Sequence, residues 1–342
     1  MAIRLGSVWT GVADSRRFVK AHADDLRPGL WVTTNRKVHR HWRCGPPPPH
    51  LRSVIAMKRG SAASLAARSV ALGRAVASAV WVRGGGAYPL LLPASGDALL
   101  IDPDGKQCLR LLQSPLPDVV LQARVALGRH LRTPPFELSR DKMELTEAFI
   151  VGAPLMDASV EVRASAASAL LRGYAAHTSA TRVRTAGPLI RRAMELLDVD
   201  GVPGGLREAV EEHNVARIAE AWPLVPSHGN LHPGNIIITH GGPTLIDFQS
   251  ARPQPFFFDP LYLMTFEARQ GRRDLIVGYF GGKFDADMVE LAKAADCVWE
   301  PRAFVLGAIL CDLMFRNGNS GTDPELTGLL AARVWRALAG LF

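Results

Sequence analysis

The sequence predicts an α+β chain of two lobes, a small β-rich lobe followed by a large, mainly helical one. Three observations lead there. Between residues 87 and 151, short apolar runs alternate with turns rich in Gly, Asp and Pro. Beyond Asp157 the segments lengthen and take on helical composition. A tight hairpin, Ile236 to Ile246, interrupts this helical region, with a dense polar motif at its open end. A length of 342 residues suits two lobes, and 48% hydrophobic content can build two cores.

The elements follow in order. Residues 1–60 hold twelve Lys or Arg against three Asp, whereas the remainder holds 28 basic and 29 acidic groups. With Pro46 to Pro49, this segment reads as a solvated basic N-terminal extension. Nucleic-acid binding would rest on the extension alone and is the weaker reading. Residues 61–150 form the small lobe, opening with an Ala-rich helix over Ser61 to Val80. Strands are expected at Ala87 to Pro93, Ala98 to Asp102 and Gln107 to Leu112, joined by turns at Ala94 to Asp97 and Asp102 to Gly105. Pro117 to Leu131 has a helical pattern, and Leu145 to Val151 is an apolar strand entering a hinge. Residues 151–342 form the large lobe, with helices at Ser159 to Ala176, Pro188 to Leu197 and Leu206 to Ala221, and more from Leu261 onward. Pro188 suits a first helical position, where a missing N–H costs nothing. No uncharged apolar run of about eighteen residues is present, and no secretory pattern opens the chain, so no membrane partner is expected. Cys44, Cys108, Cys297 and Cys311 lack metal or redox spacing and read as reduced thiols of a cytoplasmic protein.

The polar motif is Ser227-His228-Gly229-Asn230-Leu231-His232-Pro233-Gly234-Asn235, followed by Ile246-Asp247-Phe248. A hairpin between them brings Asn235 and Asp247 together. One amide oxygen and one carboxylate are hard ligands of the kind that hold Mg²⁺ against the phosphates of a nucleotide. In kinases a catalytic-loop aspartate precedes such an asparagine by five positions, and a second aspartate completes the metal site. Asn230 stands at the first of these positions.

These segments resemble the catalytic loop of the aminoglycoside phosphotransferase and choline-kinase-like superfamily, whose usual form is His-Gly-Asp-x-x-x-x-Asn and then Ile-Asp-Phe or Ile-Asp-Trp. Phe258-Asp259-Pro260-Leu261-Tyr262 resembles its Gly-Asp-Pro-x-x-Asp-Leu segment, with Asp259 matching a structural aspartate. Leu145 to Leu155, ending in Gly152-Ala153-Pro154-Leu155, resembles its interlobe hinge. The resemblance covers roughly residues 85 to 342. It implies a two-lobed protein-kinase-like fold and transfer of the γ-phosphoryl group of ATP or GTP to a hydroxyl of a small molecule or of a peptide Ser or Thr. It also implies that Asn235 and Asp247 bind Mg²⁺, that Arg110 touches phosphate, and that the backbone around Glu147 to Phe149 receives the base. Asn230 would face the acceptor hydroxyl.

Three features depart from the pattern. Arg110 takes the place of a strand lysine, and arginine is not its geometric equivalent. The Val54 to Lys58 segment imitates the strand-lysine motif but lies far from the hinge. The glutamate expected to pair with that lysine is missing, because the first glutamate of the chain is Glu137. Asn230 can orient a hydroxyl but hardly accept its proton, and general-base help is typically worth about 10² to 10⁴ in rate. Three explanations stand side by side. The chain is a pseudokinase that binds nucleotide or peptide and supports a partner enzyme in a biosynthetic complex. Or it is an active enzyme using another base, with His232 and His228 nearest. Or Asn230 is a substitution that traps substrate. For His228, support of the loop through backbone hydrogen bonds is the favoured role.

Overall fold

The computed structural model describes residues 19–27, 29–35, 38–41, 80–82, 88, 90–94, 97–102, 105–181, 184–320 and 324–342. The chain divides into two compact units, Met1–Leu116 with Pro134–Val151, and Pro117–Thr133 with Gly152–Phe342. The first is β-rich and the second mainly helical, the division expected from the sequence. The Ala-rich segment at 61–79, the 54–58 and 84–86 segments, the prolines at 46–49 and portions of two expected turns (95–96, 103–104) lie outside the described residues.

The smaller unit contains eight strands: β1 (Gly29–Asn35), β2 (Val38–His41), β3 (Val80–Val82), β4 (Leu90–Ala94), β5 (Asp97–Asp102), β6 (Gln107–Leu111), β7 (Phe136–Leu138) and β8 (Glu144–Ala148). They form one antiparallel sheet in the order β3-β1-β2-β4-β5-β6-β8-β7. Strands β4, β5 and β6 lie where short apolar runs between turn residues place them. Ala98 and Leu100 of β5 point inward and join Val19, Leu26 and Leu91 in a buried cluster.

That cluster corrects the expectation of a separate extension over residues 1–60. Val19 and Leu26 belong to the core of the smaller unit, and β1 and β2 lie in its sheet between β3 and β4. Net charge concealed this. Gly29–Asn35 includes Trp31, Val32, Thr33 and Thr34, a run with strand propensity whatever charges surround it.

A second correction concerns the Asp118–Leu127 helix, expected in the small lobe and found in the larger unit. Its buried face, Val120, Ala123, Arg124 and Leu127, packs on two strands of that unit, at residues 223–227 and 252–255.

The larger unit adds β9 (Ala153–Pro154), β10 (Arg184–Thr185), β11 (Pro223–Ser227), β12 (Ile236–Thr239), β13 (Gly242–Leu245) and β14 (Arg252–Pro255). They form two small sheets, ordered β10-β11-β14 and β13-β12-β9. Around them lie helices at Val160–Ala180, Gly187–Met194, Gly204–Glu212, Phe258–Arg269, Asp274–Phe280, Asp285–Ala294, Pro301–Ser320 and Pro324–Leu338, with a short one at Val215–Ile218. Ser159 caps the first by accepting from Val162 N–H. The helix expected over Leu206 to Ala221 is interrupted at Asn214, which takes a left-handed conformation (φ 48°). Trp222, Phe256, Phe257 and Phe304 pack edge-to-face and stacked at the centre of this core, with ring centroids 4.5–5.5 Å apart. Among the described residues, no helix is long and apolar enough to cross a membrane.

The role of the N-terminal residues in the core is directly testable. Leu26→Ala should cost about 2–5 kcal/mol, read as a lower urea midpoint. Deleting residues 1–41 should cost more still. A deletion variant as stable as the full chain would exclude these residues from the fold.

Candidate active site

Strand β11 delivers the chain to the polar loop, and one buried carboxylate sets the turn. Asp259, 1% exposed, accepts from the backbone N–H of His228 (2.6 Å) and Gly229 (2.9 Å) and from the Tyr174 hydroxyl (2.6 Å). Burial, and then the neighbouring Asp259 charge, push the Tyr174 phenol well above its ordinary range, so it remains a donor. Gly229 has φ +76°, and a Cβ there would stand 2.2 Å from the Ser250 carbonyl oxygen. Only glycine fits. From the other side, Arg252 donates to the Gly229 carbonyl (3.0 Å) and lies over the Phe315 ring.

His228 closes the base of the loop. Its Nε2–H donates to the Ile246 carbonyl (2.8 Å), tying the loop to the returning hairpin strand, while Nδ1 is buried without a partner. This is the supporting role expected for it.

Strands β12 and β13 pair from Ile236↔Leu245 to Thr239↔Gly242. The Ile246 N–H donates to the Asn235 carbonyl (3.0 Å), carrying the hairpin to its open end. The next residue, Asp247, adopts a left-handed conformation (φ 65°, ψ 67°), rare for a residue with a side chain and here at the proposed metal position. Asn235 is buried, and its Nδ2 donates to the Asn230 carbonyl (3.0 Å). That bond fixes the amide and leaves Oδ1 as the accepting atom. Among the described residues there is no group of three or more His, Cys, Asp or Glu that could hold a metal ion. The donors present, one carboxylate and one amide oxygen, suit Mg²⁺, which takes one or two protein oxygens and completes its shell with phosphate and water.

Asn230 is half-buried, and its Oδ1 accepts from the Tyr262 hydroxyl (3.1 Å), which accepts from Arg316 (2.8 Å). His232 does not meet the expectation of a replacement base. Its Nδ1 accepts from the Gly234 N–H (3.0 Å), which places the proton of the neutral ring on Nε2. Burial, and then the neighbouring His228, push its pKa down to about 4, and the ring stacks on Phe266 with centroids 5.1 Å apart. The one lone pair that could take a proton is already engaged.

In the smaller unit, Arg110 on β6 is buried opposite Leu99 and Leu145. Glu147 on β8 pairs with Cys108, whose thiol is pushed up to about 12 by burial and then by Glu147, with Arg110 opposing. The Phe149 N–H donates to the Lys106 carbonyl (2.8 Å) and the Ala148 N–H to that of Pro135 (3.0 Å). Those two amides are therefore committed within the unit. Sequence patterns did not single out Tyr174, Tyr262, Asp312 or Arg316. Of these, only Asp312 and Arg316 had a local signal, their i,i+4 spacing on one helix.

The sequence profile of the phosphotransferase enzyme family (APH) matches residues 156–293, a span containing the whole loop, Asp247 and Asp259. The resemblance seen in the motifs is thus borne out over this stretch, which is similar to the phosphotransferase enzyme family. No curated protein sequence gives a significant match. Solved structures similar to this chain include a choline/ethanolamine kinase family protein from Mesorhizobium loti, with 17% identity, TM-score 0.45, and coverage of 72% of this chain and 87% of that one. Another is a macrolide 2'-phosphotransferase from Brachybacterium faecium, with 18% identity, TM-score 0.45, and coverage of 70% and 87%. A third is the GDP complex of aminoglycoside 2'-phosphotransferase-IIIa, with 15% identity, TM-score 0.47, and coverage of 76% and 92%.

Two measurements check the loop. His232 should titrate near pH 4 by NMR, well below the usual 6.5. Between those values the unfolded chain binds the proton and the folded one does not, so this ring makes stability fall as pH drops through that window. Tyr174→Phe should cost about 1–2 kcal/mol, and Asp259→Ala about 3–5 kcal/mol, because it strands three buried donors. An Asp259→Ala protein of native stability would remove the carboxylate from its anchoring role.

Proposed function

We propose that the protein transfers the γ-phosphoryl group of ATP or GTP to a hydroxyl of a small molecule or of a peptide Ser or Thr. The observation that carries this reading is the pairing of Asn235, its amide turned by the bond to the Asn230 carbonyl, with Asp247 at the open end of the same hairpin. In this reading Asn235 Oδ1 and the Asp247 carboxylate would hold Mg²⁺, and the ion would supply charge neutralisation for the transferred group. Asn230 faces the acceptor hydroxyl and orients it. We assign Arg110 to phosphate, and the segment at Glu147 to Phe149 to the base through groups other than the two committed amides.

A second reading has an observation of its own. Asn230 carries no proton-accepting group, and the lone pair of His232 is engaged. A pseudokinase that binds nucleotide and supports a partner enzyme needs nothing more. Phosphoryl transfer through a loose transition state rests largely on positioning and electrostatics, so slow turnover is compatible with the same residues.

Calorimetry with a non-hydrolysable triphosphate should give saturable, Mg²⁺-dependent binding that Asp247→Ala loses. Absence of binding, or binding unchanged in that variant, would refute the metal site. Asn230→Asp should raise phosphoryl transfer or triphosphate hydrolysis by about 10² to 10⁴, with nucleotide affinity falling by no more than about tenfold. A silent Asn230→Asp, beside tight binding of a protein or peptide by the native chain, would select the pseudokinase.

A further inference from the structure

Behind Asn230 runs a chain of hydrogen bonds whose direction can be worked out. Asp312 and Arg269 are both 5% exposed and bonded at 2.5 Å. The other carboxylate oxygen of Asp312 accepts from Arg316 Nε at 2.8 Å, and Arg316 Nη2 continues to the Tyr262 hydroxyl at 2.8 Å. That hydroxyl lies 3.1 Å from Asn230 Oδ1. A guanidinium has five donors and no acceptor, so Arg316 can only give. The Tyr262 oxygen therefore accepts from it, and the phenolic proton is given on to Asn230 Oδ1. The phenol holds that proton, since burial and then the Asp312 charge raise its pKa. Its ring is itself fixed, stacked on Phe258 at 5.5 Å and under the Arg269 guanidinium at 5.4 Å.

The side-chain amide of Asn230 thus has its oxygen committed, and its backbone carbonyl is committed to Asn235 Nδ2. Among the described residues nothing accepts from Asn230 Nδ2.

We propose that Tyr262 and Arg316 are positioning residues that turn the Asn230 amide oxygen away from the ligand and present its NH₂ group. Position 230 then binds an oxygen of the ligand that accepts a hydrogen bond. A phosphoryl oxygen is the best match beside Asn235 and Asp247. This inference rests on the proposed nucleotide site for the identity of the ligand, but not for the orientation of the amide. It revises the role given to Asn230 above: the side chain holds a phosphoryl oxygen instead of orienting the acceptor hydroxyl, whose proton a carboxylate at this position would draw. An aspartate at 230 would keep the bond to Tyr262 and lose the outward donor.

The full-length chain labelled with ¹⁵N at asparagine side chains tests the orientation without any turnover. In the native protein the Asn230 NH₂ protons should exchange readily with water and show no strong Overhauser contact to the Tyr262 ring. Tyr262→Phe keeps the ring and removes the hydroxyl, and Arg316→Met removes the donor that sets the direction. Each should shift or broaden the Asn230 NH₂ signals while leaving those of Asn235 in place. Signals at Asn230 unmoved in both variants, or native NH₂ protons protected and in contact with the Tyr262 ring, would overturn the proposal. With Mg²⁺ and a non-hydrolysable triphosphate, the native Asn230 NH₂ signals should shift, and Tyr262→Phe should diminish that shift. Confirmed nucleotide binding with no shift at Asn230 would sink the phosphoryl assignment. Failure of the nucleotide to bind at all would refute the proposed function and, with it, the ligand identity, while the ligand-free spectra would still decide the orientation. In the Asn230→Asp background, adding Tyr262→Phe should lower kcat about fivefold, the weight of one hydrogen bond, with KM for nucleotide unchanged. A parallel change in both constants would mark Tyr262 as merely structural.

Discussion

Everything in the loop depends on the carboxylate of Asp259. It gathers two consecutive backbone N–H groups and one phenol in the buried interior, where a single unmet donor would cost about 1–3 kcal/mol. Consecutive amides can converge on one carboxylate only if the backbone curls, and the positive φ of Gly229 is that curl. The direction in which the chain leaves Gly229 then fixes where Asn230 stands, and Asn235 follows through its bond to the Asn230 carbonyl. The hairpin contributes its own anchor through His228 and the Ile246 carbonyl. Loop and hairpin form one polar unit because their hydrogen bonds interlock, although each segment would be an ordinary turn by itself.

How much of this was legible in the sequence depended on how local each signal was. Asn235 and Asp247 could be paired because a hairpin of fixed length joins them. β4, β5 and β6 declared themselves through turn residues at short spacing. β11 and β14 did not, because Pro223, Pro226, Pro253 and Pro255 read as strand breakers. In the antiparallel register Pro226 stands opposite Pro253 and Leu224 opposite Pro255, while Val225 and Gln254 face each other between them. Backbone groups of alternate residues point to opposite sides of a strand, so Val225 and Gln254 can carry the ladder while Pro226, Pro253 and Pro255 forgo only bonds that lie elsewhere; Pro223 still takes part through its carbonyl, which accepts from Phe256. Net charge likewise concealed β1 and β2, since a count of lysines and arginines says nothing about which residues alternate inward. Tyr174 reaches Asp259 across 85 positions, a distance at which no sequence pattern gives warning.

Asn230 is the one position where the loop's architecture and the chemistry of its kinase counterpart diverge. The supports around it are complete: the turn, the amide-fixed Asn235, the left-handed Asp247 and the buried carboxylate are all in place. A chain drifting away from nucleotide binding has no physical need to keep such strained and desolvated features, each of which costs stability. Under the proposed function, their presence together would separate phosphate handling from proton removal, for which the loop's side chains offer no free base.

The anchors of this loop are spread widely along the chain, and that has a consequence during synthesis. Tyr174 and the strand β11 leave the ribosome before the loop does, but Tyr262 follows it and Arg316 comes about 80 residues after Asn235. At roughly 5–20 residues per second, the polar segment waits several seconds for its last partner. Through that interval Ile246, Tyr262 and Phe266 are already synthesised, but the Tyr262 hydroxyl that meets Asn230 still lacks the Arg316 donor behind it. The Pro301–Ser320 helix, which supplies Asp312 and Arg316, is therefore the step that completes the loop, and slow translation before it prolongs the time the nascent chain spends with an unassembled site.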